Sequence, residues 1–338
     1  MRGTLTIARL EVLLRFRAGR WRWLLLSWFI GLLLFSWLLS VSISRTSSLN
    51  GHRGDVLFGG LQLFMLLLAL FIVPALTSQS VNGDRERGRL GVLQVTEVSS
   101  FDIIGGKLLA AWGTAGVFVA VSAPITVFAL VEGGISVVQV VVVTLVMLLL
   151  LGIICAIGLG LSALLARSTT SSVLTYVAVF VLALGTVILA GLVTAVESSS
   201  SGQSHGDTWY LVAPNPFVIL ADAAPSAPLH RTCYSIGGGV QQSVPIQTGP
   251  VQVVPSQGSS TFCQTSVPTG DVLGGIRQSI RSLESTNSLN SINGGPSGGA
   301  VWPYGLAFDL LVAFGLLWAA VRSLATPKRR LPKGVRLA

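Results

Sequence analysis

Charged residues are scarce in this sequence. Asp, Glu, Lys and Arg make up 10 % of the 338 residues, whereas soluble domains carry about 25 %. So few charges do not cover a water-exposed surface, and an ordinary soluble enzyme is therefore excluded. Histidine and cysteine number only three each. Because the histidines are dispersed along the chain, a metal site or a histidine-based catalytic triad is not expected.

The motifs of nucleotide and zinc chemistry are also missing. The sequence contains no G-x-x-x-x-G-K-[ST] phosphate loop and no H-E-x-x-H pair, so we expect no ATP or zinc site of those types. The net charge of +9 does not indicate nucleic-acid binding, because the Lys and Arg residues flank apolar runs instead of forming one basic face. We therefore predict a non-catalytic chain without a resident cofactor or metal and without a nucleic-acid partner.

Long apolar runs dominate what is present. Hydrophobic residues make up 51 % of the chain, and they gather into runs of about 20 or more, enough to cross a hydrocarbon layer of about 30 Å. We predict an all-α polytopic membrane protein with six spans, at 23–43, 56–76, 108–131, 137–165, 173–196 and 301–324. The fourth span is long and contains Gly152, Gly158 and Gly160, which predicts either a tilt in the membrane or close packing against a neighbouring helix.

The basic residues predict the orientation. Seventeen of the 22 Lys and Arg residues fall on the side of both termini, and the positive-inside rule makes that side cytoplasmic. Residues 1–22 then form a basic elbow helix in the membrane interface, with a partial apolar stripe at Ile7, Leu10 and Leu14. Residues 325–338 form a basic cytoplasmic tail, and the spans 1–5 occupy residues 23–196.

Residues 197–300 form a large extracytoplasmic loop between the fifth and sixth spans. Its Ser- and Gly-rich composition is typical of mobile segments, although residues 209–224 are apolar and residues 272–283 have helical spacing. Cys233 and Cys263 both fall in this loop. A disulfide between them closes about 30 residues and contributes roughly 3–4 kcal/mol; two free thiols are the alternative.

Asp309 is the one carboxylate placed inside a predicted span. An acid at mid-membrane costs about 2.5–3.5 kcal/mol on insertion scales. Either Asp309 lines a polar path for substrate, or it lies near the outer interface and is simply solvated.

The densest charge cluster lies between the second and third spans, in the segment 84–96. It begins with Asp84-Arg85-Glu86 and continues with apolar residues that include Leu90 and Leu93. Gly88 and a second glycine limit any helix here to one or two turns. Such a short element suits docking on a partner; a solvated loop that only enforces topology is the alternative.

At this loop the sequence resembles the membrane subunits of ATP-binding-cassette (ABC) exporters of the type-two class. Their pattern reads approximately E-R-E-x-G-T-L-E-x-L-L-x-T-P-x-S, then an acidic residue, then L-G-K-x-x-A. The matching residues are Asp84, Arg85, Glu86, Gly88, Leu90, Leu93, Thr96, Ser99, Asp102, Gly106, Lys107 and Ala110, and the departures are Arg89, Gly91, Gln94 and Glu97. Asn215-Pro216-Phe217 is similar to the N-P-[FL] element of such permeases.

The resemblance implies a coupling helix near 84–96, seated on a separate ABC ATPase that binds ATP and Mg. Two ATPase copies and a second permease chain, identical or homologous, would complete an exporter of a drug, lipid, saccharide or peptide. The residues implied in coupling are Asp84, Arg85, Glu86, Gly88, Leu90, Leu93, Thr96 and Lys107. The Arg-, Gly-, Ala- and Val-rich composition suggests a GC-rich bacterial genome, so we expect the membrane to be a bacterial cytoplasmic membrane.

Two other functions remain open at this point. In the first, an ABC-type assembly uses the outer loop of about 100 residues to sense or dock an extracytoplasmic partner instead of transporting. In the second, the chain is an intramembrane lipid-modifying enzyme, which the lack of clustered catalytic residues disfavours.

Overall fold

The fold was obtained as a computed structural model, which describes residues 2–17, 19–44, 53–86, 88, 99–201, 208–225, 230–235, 240–245, 261–266, 271–284 and 299–325. Helices fill most of these ranges. They are α1 (Arg2–Arg17), α2 (Arg20–Ser44), α3 (Arg53–Thr77), α4 (Asn82–Glu86), α5 (Ser100–Val131), α6 (Val137–Leu164), α7 (Ser168–Phe180), α8 (Thr186–Ser201), α9 (Trp209–Val212), α10 (Pro216–Ala223), α11 (Val272–Glu284) and α12 (Trp302–Ala325). A π turn at Val181–Gly185 joins α7 to α8.

Six helical segments are long and apolar enough to cross a membrane, which confirms the six predicted spans. The third begins at Ser100, eight residues before its predicted start at 108. The added turns carry Asp102 and Lys107, whose polarity lowers the hydropathy without breaking the helix. Ser99 fixes this start, because its hydroxyl accepts a hydrogen bond from the Asp102 N–H at 3.1 Å.

The helices α3, α5 and α6 form the centre of the bundle. In the most apolar 18-residue stretch of each of these three spans, 44–56 % of the residues are buried. The corresponding fraction is 17–22 % in the spans formed by α2, α7–α8 and α12. Two glycines of α6 allow close contacts there. A Cβ atom at Gly158 would lie 2.2 Å from Thr77 Oγ1, and one at Gly160 would lie 2.7 Å from Leu316 Cβ. The close packing predicted for the fourth span is thereby confirmed.

The α1 helix packs lengthwise along the first turns of α5. Ile7 contacts Gly106, where an added Cβ would lie 2.7 Å from the Ile7 Cβ atom. Leu10 and Leu14, the other residues of the predicted apolar stripe, are exposed by more than half. Toward α5 the helix presents Ile7 and polar side chains such as Glu11. The position of α1 in the membrane interface stays a prediction.

In its described residues, the segment between α8 and α12 contains more regular secondary structure than its composition predicts. Its two exceptional stretches are helical, as α9–α10 and α11, which agrees with the helical spacing predicted at 272–283. Three strands add an unpredicted antiparallel sheet of order β2-β1-β3: β1 (His230–Ser235), β2 (Val240–Pro245) and β3 (Thr261–Ser266). Their Ser, Thr and Gln residues interrupt the alternation of apolar and polar residues by which strands are recognised in a sequence.

Charged side chains bind α10 and α11 to the bundle. The buried Asp222 carboxylate at the end of α10 accepts a hydrogen bond from Arg281 Nε at 2.9 Å, and also from the Val301 and Trp302 N–H groups at 2.7 and 2.9 Å. The latter two bonds cap the start of α12, where a negative charge is favourable. One carboxylate thus joins α10, α11 and α12.

Candidate functional site

The described members of the predicted coupling set lie where α4 meets the start of α5, the end of α6 and the start of α7. We call this the α1 end of the bundle, and the opposite end, where α11 packs against Gly59 of α3, the α11 end. Asp84, Arg85, Glu86, Gly88 and Lys107 are described here. Residues 87 and 89–98, which include the predicted coupling residues Leu90, Leu93 and Thr96, lie outside the described residues.

The sequence predicts a short helix within 84–96, and most of that segment lies outside the described residues. Residues 84–86 belong to α4, which begins at Asn82 and ends at Glu86; a coupling helix beyond them stays a prediction. The N–H groups of Val81 and Asn82 donate to Ser162 Oγ at 3.1 and 3.3 Å, so a side chain of α6 holds the entry to α4. Gly88 has a φ angle of +71°, a conformation that glycine adopts without strain and that turns the chain away.

Lys107 is the centre of a buried ion cluster. Its side chain is 2 % exposed, and its ammonium group donates to Glu11 Oε1 at 2.5 Å, to the Asp84 carboxylate and to the Ser80 carbonyl oxygen at 3.2 Å. An ammonium group has three N–H donors, so these contacts satisfy all of them. Two nearby carboxylates offset the desolvation that an isolated buried cation would suffer. The cluster joins α1, α4 and α5.

Arg85 is bound to the end of α6. Its guanidinium group donates to the carbonyl oxygens of Leu165 at 3.3 Å and Ala163 at 3.5 Å. The last carbonyls of a helix have no partner within the helix and carry partial negative charge. A cation at this position therefore satisfies both the hydrogen-bonding and the electrostatic demand of the helix end.

Glu86 is bound to the start of α7. Its Oε1 atom accepts a hydrogen bond from the Ser168 N–H at 3.3 Å. The N-cap residue Arg167 supplies no side-chain cap, so the carboxylate of Glu86 stands where a capping oxygen is normally found. Each of the three consecutive charged residues thus contacts a different helix: Asp84 contacts α5, Arg85 contacts α6 and Glu86 contacts α7.

Hydroxyl groups extend the contact between the α3–α5 connection and the α6–α7 connection. Ser171 Oγ of α7 donates to the Ser78 carbonyl oxygen at 2.7 Å, and Ser172 Oγ lies 3.1 Å from Ser78 Oγ. The side chain of Asn82 reaches the Arg167 carbonyl oxygen at 3.4 Å. The α3–α5 and α6–α7 connections therefore form one bonded unit at the α1 end.

Glu11 is a site residue that the sequence reasoning missed. It is the only acidic residue before Asp55, an isolation that could have marked it in a basic arm. Two further polar contacts accompany it along α1: Thr4 donates to the Asp102 carboxylate, and Arg15 donates to Thr114 Oγ1 at 3.3 Å. Burial lowers the pKa of Arg15, although the Glu11 carboxylate acts in the opposite direction.

Asp309 lies inside the bundle on the face of α12 that also carries Gly305 and Ala313. Its residue exposure is 3 %, and within the described part of the chain its Oδ1 atom has no hydrogen-bond partner. Ala313, one turn further, packs among Ile153 and Ile157 of α6. This burial does not agree with a simply solvated side chain, whereas the depth of Asp309 in the membrane and its place in a substrate path stay predictions.

Asn215, the first residue of the N-P-F element, holds the π turn of the fifth span. Its Nδ2 atom donates to the Ala183 carbonyl oxygen at 2.7 Å and to Thr186 Oγ1 at 2.9 Å. Its Oδ1 atom accepts from the Phe217 N–H at 2.9 Å and so caps α10. Because a π turn departs from the α-helical bonding pattern, its carbonyls are accessible to such side-chain donors.

No protein-family model matches this chain, and no curated protein matches it significantly. Within the described ranges, no group of three His, Cys, Asp or Glu residues comes close enough to hold a metal ion.

Proposed function

We propose that this chain is the permease subunit of an ABC exporter in a bacterial cytoplasmic membrane, with both termini cytoplasmic. Two copies of a separate ATPase bind ATP and Mg and dock at the α1 end, and a second permease chain, identical or homologous, completes the assembly. The cargo is a drug, lipid, saccharide or peptide. The chain itself carries no catalytic residue.

One observation carries this proposal: Asp84, Arg85 and Glu86 bind three different helices, and Lys107 adds α1 as the fourth element. A solvated loop that only enforces topology does not require such bonds. A connection that transmits force does require them, because a displacement of the docking segment must reach several helices at once.

The permease residues act by positioning. The docking partner shifts the equilibrium between inward- and outward-facing states only through contacts whose free energy differs between them. The ion pair of Lys107 with Asp84 and the bonds of Arg85 and Glu86 to helix ends depend steeply on geometry. They therefore convert a movement of α4 into a change in the relative positions of α5, α6 and α7.

The test is to uncouple ATP hydrolysis from transport. Glu86→Lys places a cation at the start of α7, and Leu93→Asp makes the docking segment polar. We expect both variants to insert normally and to lose transport while ATP hydrolysis continues. Glu132→Lys is the matched control, because Glu132 is exposed beyond the other end of α5. Normal transport by the two loop variants, or purification in mild detergent without any ATPase, would falsify the proposal.

A second candidate function is favoured by the fastening of α11. Besides Arg281, the buried Arg277 donates to the Ala224 carbonyl oxygen at 2.6 Å and lies 3.6 Å from the Asp271 carboxylate. Burial lowers the pKa of Arg277, and the Asp271 carboxylate opposes this effect. In this function, an ABC-type assembly uses the outer loop to sense or dock an extracytoplasmic partner, and α11 passes the signal to α12.

Shortening the outer loop distinguishes the two functions. Replacing residues 228–268 by a short Gly/Ser linker removes the sheet and retains α11 with its ion pairs. Unchanged export makes the sheet dispensable and supports the exporter. Loss of a signalling output with intact ATP hydrolysis supports the sensor.

A further inference from the structure

We propose that Cys233 and Cys263 form an intrachain disulfide that joins β1 to β3. The two residues are directly opposite each other in the register of these antiparallel strands. Directly opposite residues belong to the same face of a sheet, and their Cα atoms lie about 4.5–5.5 Å apart. Disulfides span Cα distances of about 4.4–6.8 Å. The backbone register therefore meets the requirement without any movement of the strands.

The register at this pair is regular. The β1–β3 ladder runs without interruption from the pair His230 and Ser266 to the pair Ser235 and Thr261, and the cysteines fall inside it. A slip of one residue would place the two cysteines on opposite faces. The irregularity in β1, between Arg231 and Cys233, concerns its other neighbour, β2. Both cysteines therefore lie in the regular ladder, which joins the central strand β1 to β3.

The third cysteine is not a competing partner. Cys155 lies in α6, is 1 % exposed and packs in the hydrophobic core of the bundle. Within the chain, Cys233 and Cys263 are therefore the pair that can form a disulfide.

Formation of the bond needs an oxidant, which we identify by class as a disulfide-carrying oxidoreductase outside the cytoplasm. One cysteine thiolate attacks the carrier disulfide and forms a mixed disulfide, and the second thiolate then displaces the carrier. The two thiols lose two protons and two electrons, and the carrier leaves as a dithiol. The bond closes a loop of about 30 residues that contains β2.

Formation of the bond depends on the side of the membrane on which the cysteines lie, and not on what the protein transports. Structural disulfides persist outside the cytoplasm, whereas cytoplasmic thiols are kept reduced. An oxidised pair therefore places the segment between α8 and α12 outside, whatever the chain carries or senses.

Thiol counting on the full-length protein tests the bond. Membranes from expressing cells are quenched with acid, denatured and treated with a maleimide-polyethylene glycol reagent, with and without prior reduction. We expect the wild type to take up one reagent molecule before reduction, at Cys155, and three after it. Cys155→Ala should take up none and then two. Cys233→Ser should take up two before reduction, because Cys263 loses its partner.

Mass spectrometry of the unreduced digest then identifies the bond. We expect a peptide that contains Cys233 linked to one that contains Cys263 and lighter by two hydrogens than the separate peptides. Three reactive thiols in the unreduced wild type, or a disulfide between two chains that appears as a reducible dimer, would overturn the proposal. ATPase co-purification and transport by Cys233→Ser/Cys263→Ser are measured separately, so failure of the bond and failure of the exporter function remain distinguishable.

Discussion

Arg85 and Glu86 are neighbours in the sequence, yet their side chains bind the ends of two different helices. Arg85 donates to the Leu165 carbonyl oxygen at 3.3 Å, just past the end of α6, and Glu86 accepts from the Ser168 N–H at 3.3 Å, at the start of α7. The cation meets the negative end of one helix and the anion meets the positive end of the next. The order of the two charges is therefore fixed by the direction of the chain through the α6–α7 connection.

Exchanging the two charges tests this order. In Arg85→Glu/Glu86→Arg the net charge is unchanged, but each side chain faces a helix end of its own sign. We expect a loss of about 0.3–1 kcal/mol at each site, measured as a lower thermal unfolding midpoint in detergent. Arg85→Lys, which keeps the charge, should lose less. Equal midpoints for the exchange variant and the wild type would count against the helix-end interaction.

Lys107 should be the most sensitive position at the α1 end. Lys107→Met leaves the Glu11 and Asp84 carboxylates facing each other without a cation, and breaking a buried pair in this way costs about 3–5 kcal/mol. We expect poor membrane yield and early thermal unfolding. The variant Glu11→Gln/Asp84→Asn/Lys107→Met removes all three charges and should recover most of the stability. If the single variant is as stable as the triple variant, the cluster does not hold α1 to α5.

Gly158 should not tolerate a larger side chain. In Gly158→Ala the new Cβ atom would lie 2.2 Å from Thr77 Oγ1, so α3 and α6 must separate, at a cost of about 1–3 kcal/mol. Thr77→Ala should partly rescue it by removing that oxygen. Gly191→Ala is the control, because nothing lies within 4 Å of a Cβ atom there, and it should be neutral or slightly stabilising. The measurement is the thermal unfolding midpoint of the wild type, Gly158→Ala, Gly158→Ala/Thr77→Ala and Gly191→Ala.

The sequence was sufficient to predict the membrane spans, but it was insufficient to predict the contacts between them. Each span is recognised locally, by the length and apolarity of one run. The ion pair of Lys107 with Glu11 joins residues 96 positions apart, and no local pattern indicates that α1 and α5 pack together. The glycines of α6 predicted a close approach, but their partners Thr77 and Leu316 follow only from the arrangement of the helices.

Asn215 should separate two roles in one side chain. Asn215→Asp keeps the oxygen that caps α10 and removes the donor to the Ala183 carbonyl oxygen, whereas Asn215→Ala removes both. We expect both variants to be destabilised by about 1–3 kcal/mol, because a buried carbonyl loses its partner. The alanine variant also loses the cap, at about 1 kcal/mol, and the aspartate variant also buries a carboxylate without a cation, which costs more. Thermal unfolding gives the ranking. An aspartate variant as stable as the wild type would show that the contact with the π turn contributes nothing.

Asp309→Asn tests the predicted substrate path. The substitution keeps the size of the side chain and removes an ionisable group from the interior of the bundle, so we expect insertion and stability equal to or above those of the wild type. We expect the export of cationic substrates to decrease, since they lose an anionic partner, while neutral substrates are exported as before. Transport assays with a matched cationic and neutral pair measure this difference. Unchanged export of both would assign Asp309 a structural role only.

The pairing of Glu11 with Lys107 also has a consequence for biosynthesis. Glu11 leaves the ribosome 96 residues before its partner, a delay of roughly 5–20 s at about 5–20 residues per second. During that interval the nascent arm has no place to dock. Assembly of the first third of the protein is therefore completed only when translation has reached the third membrane crossing.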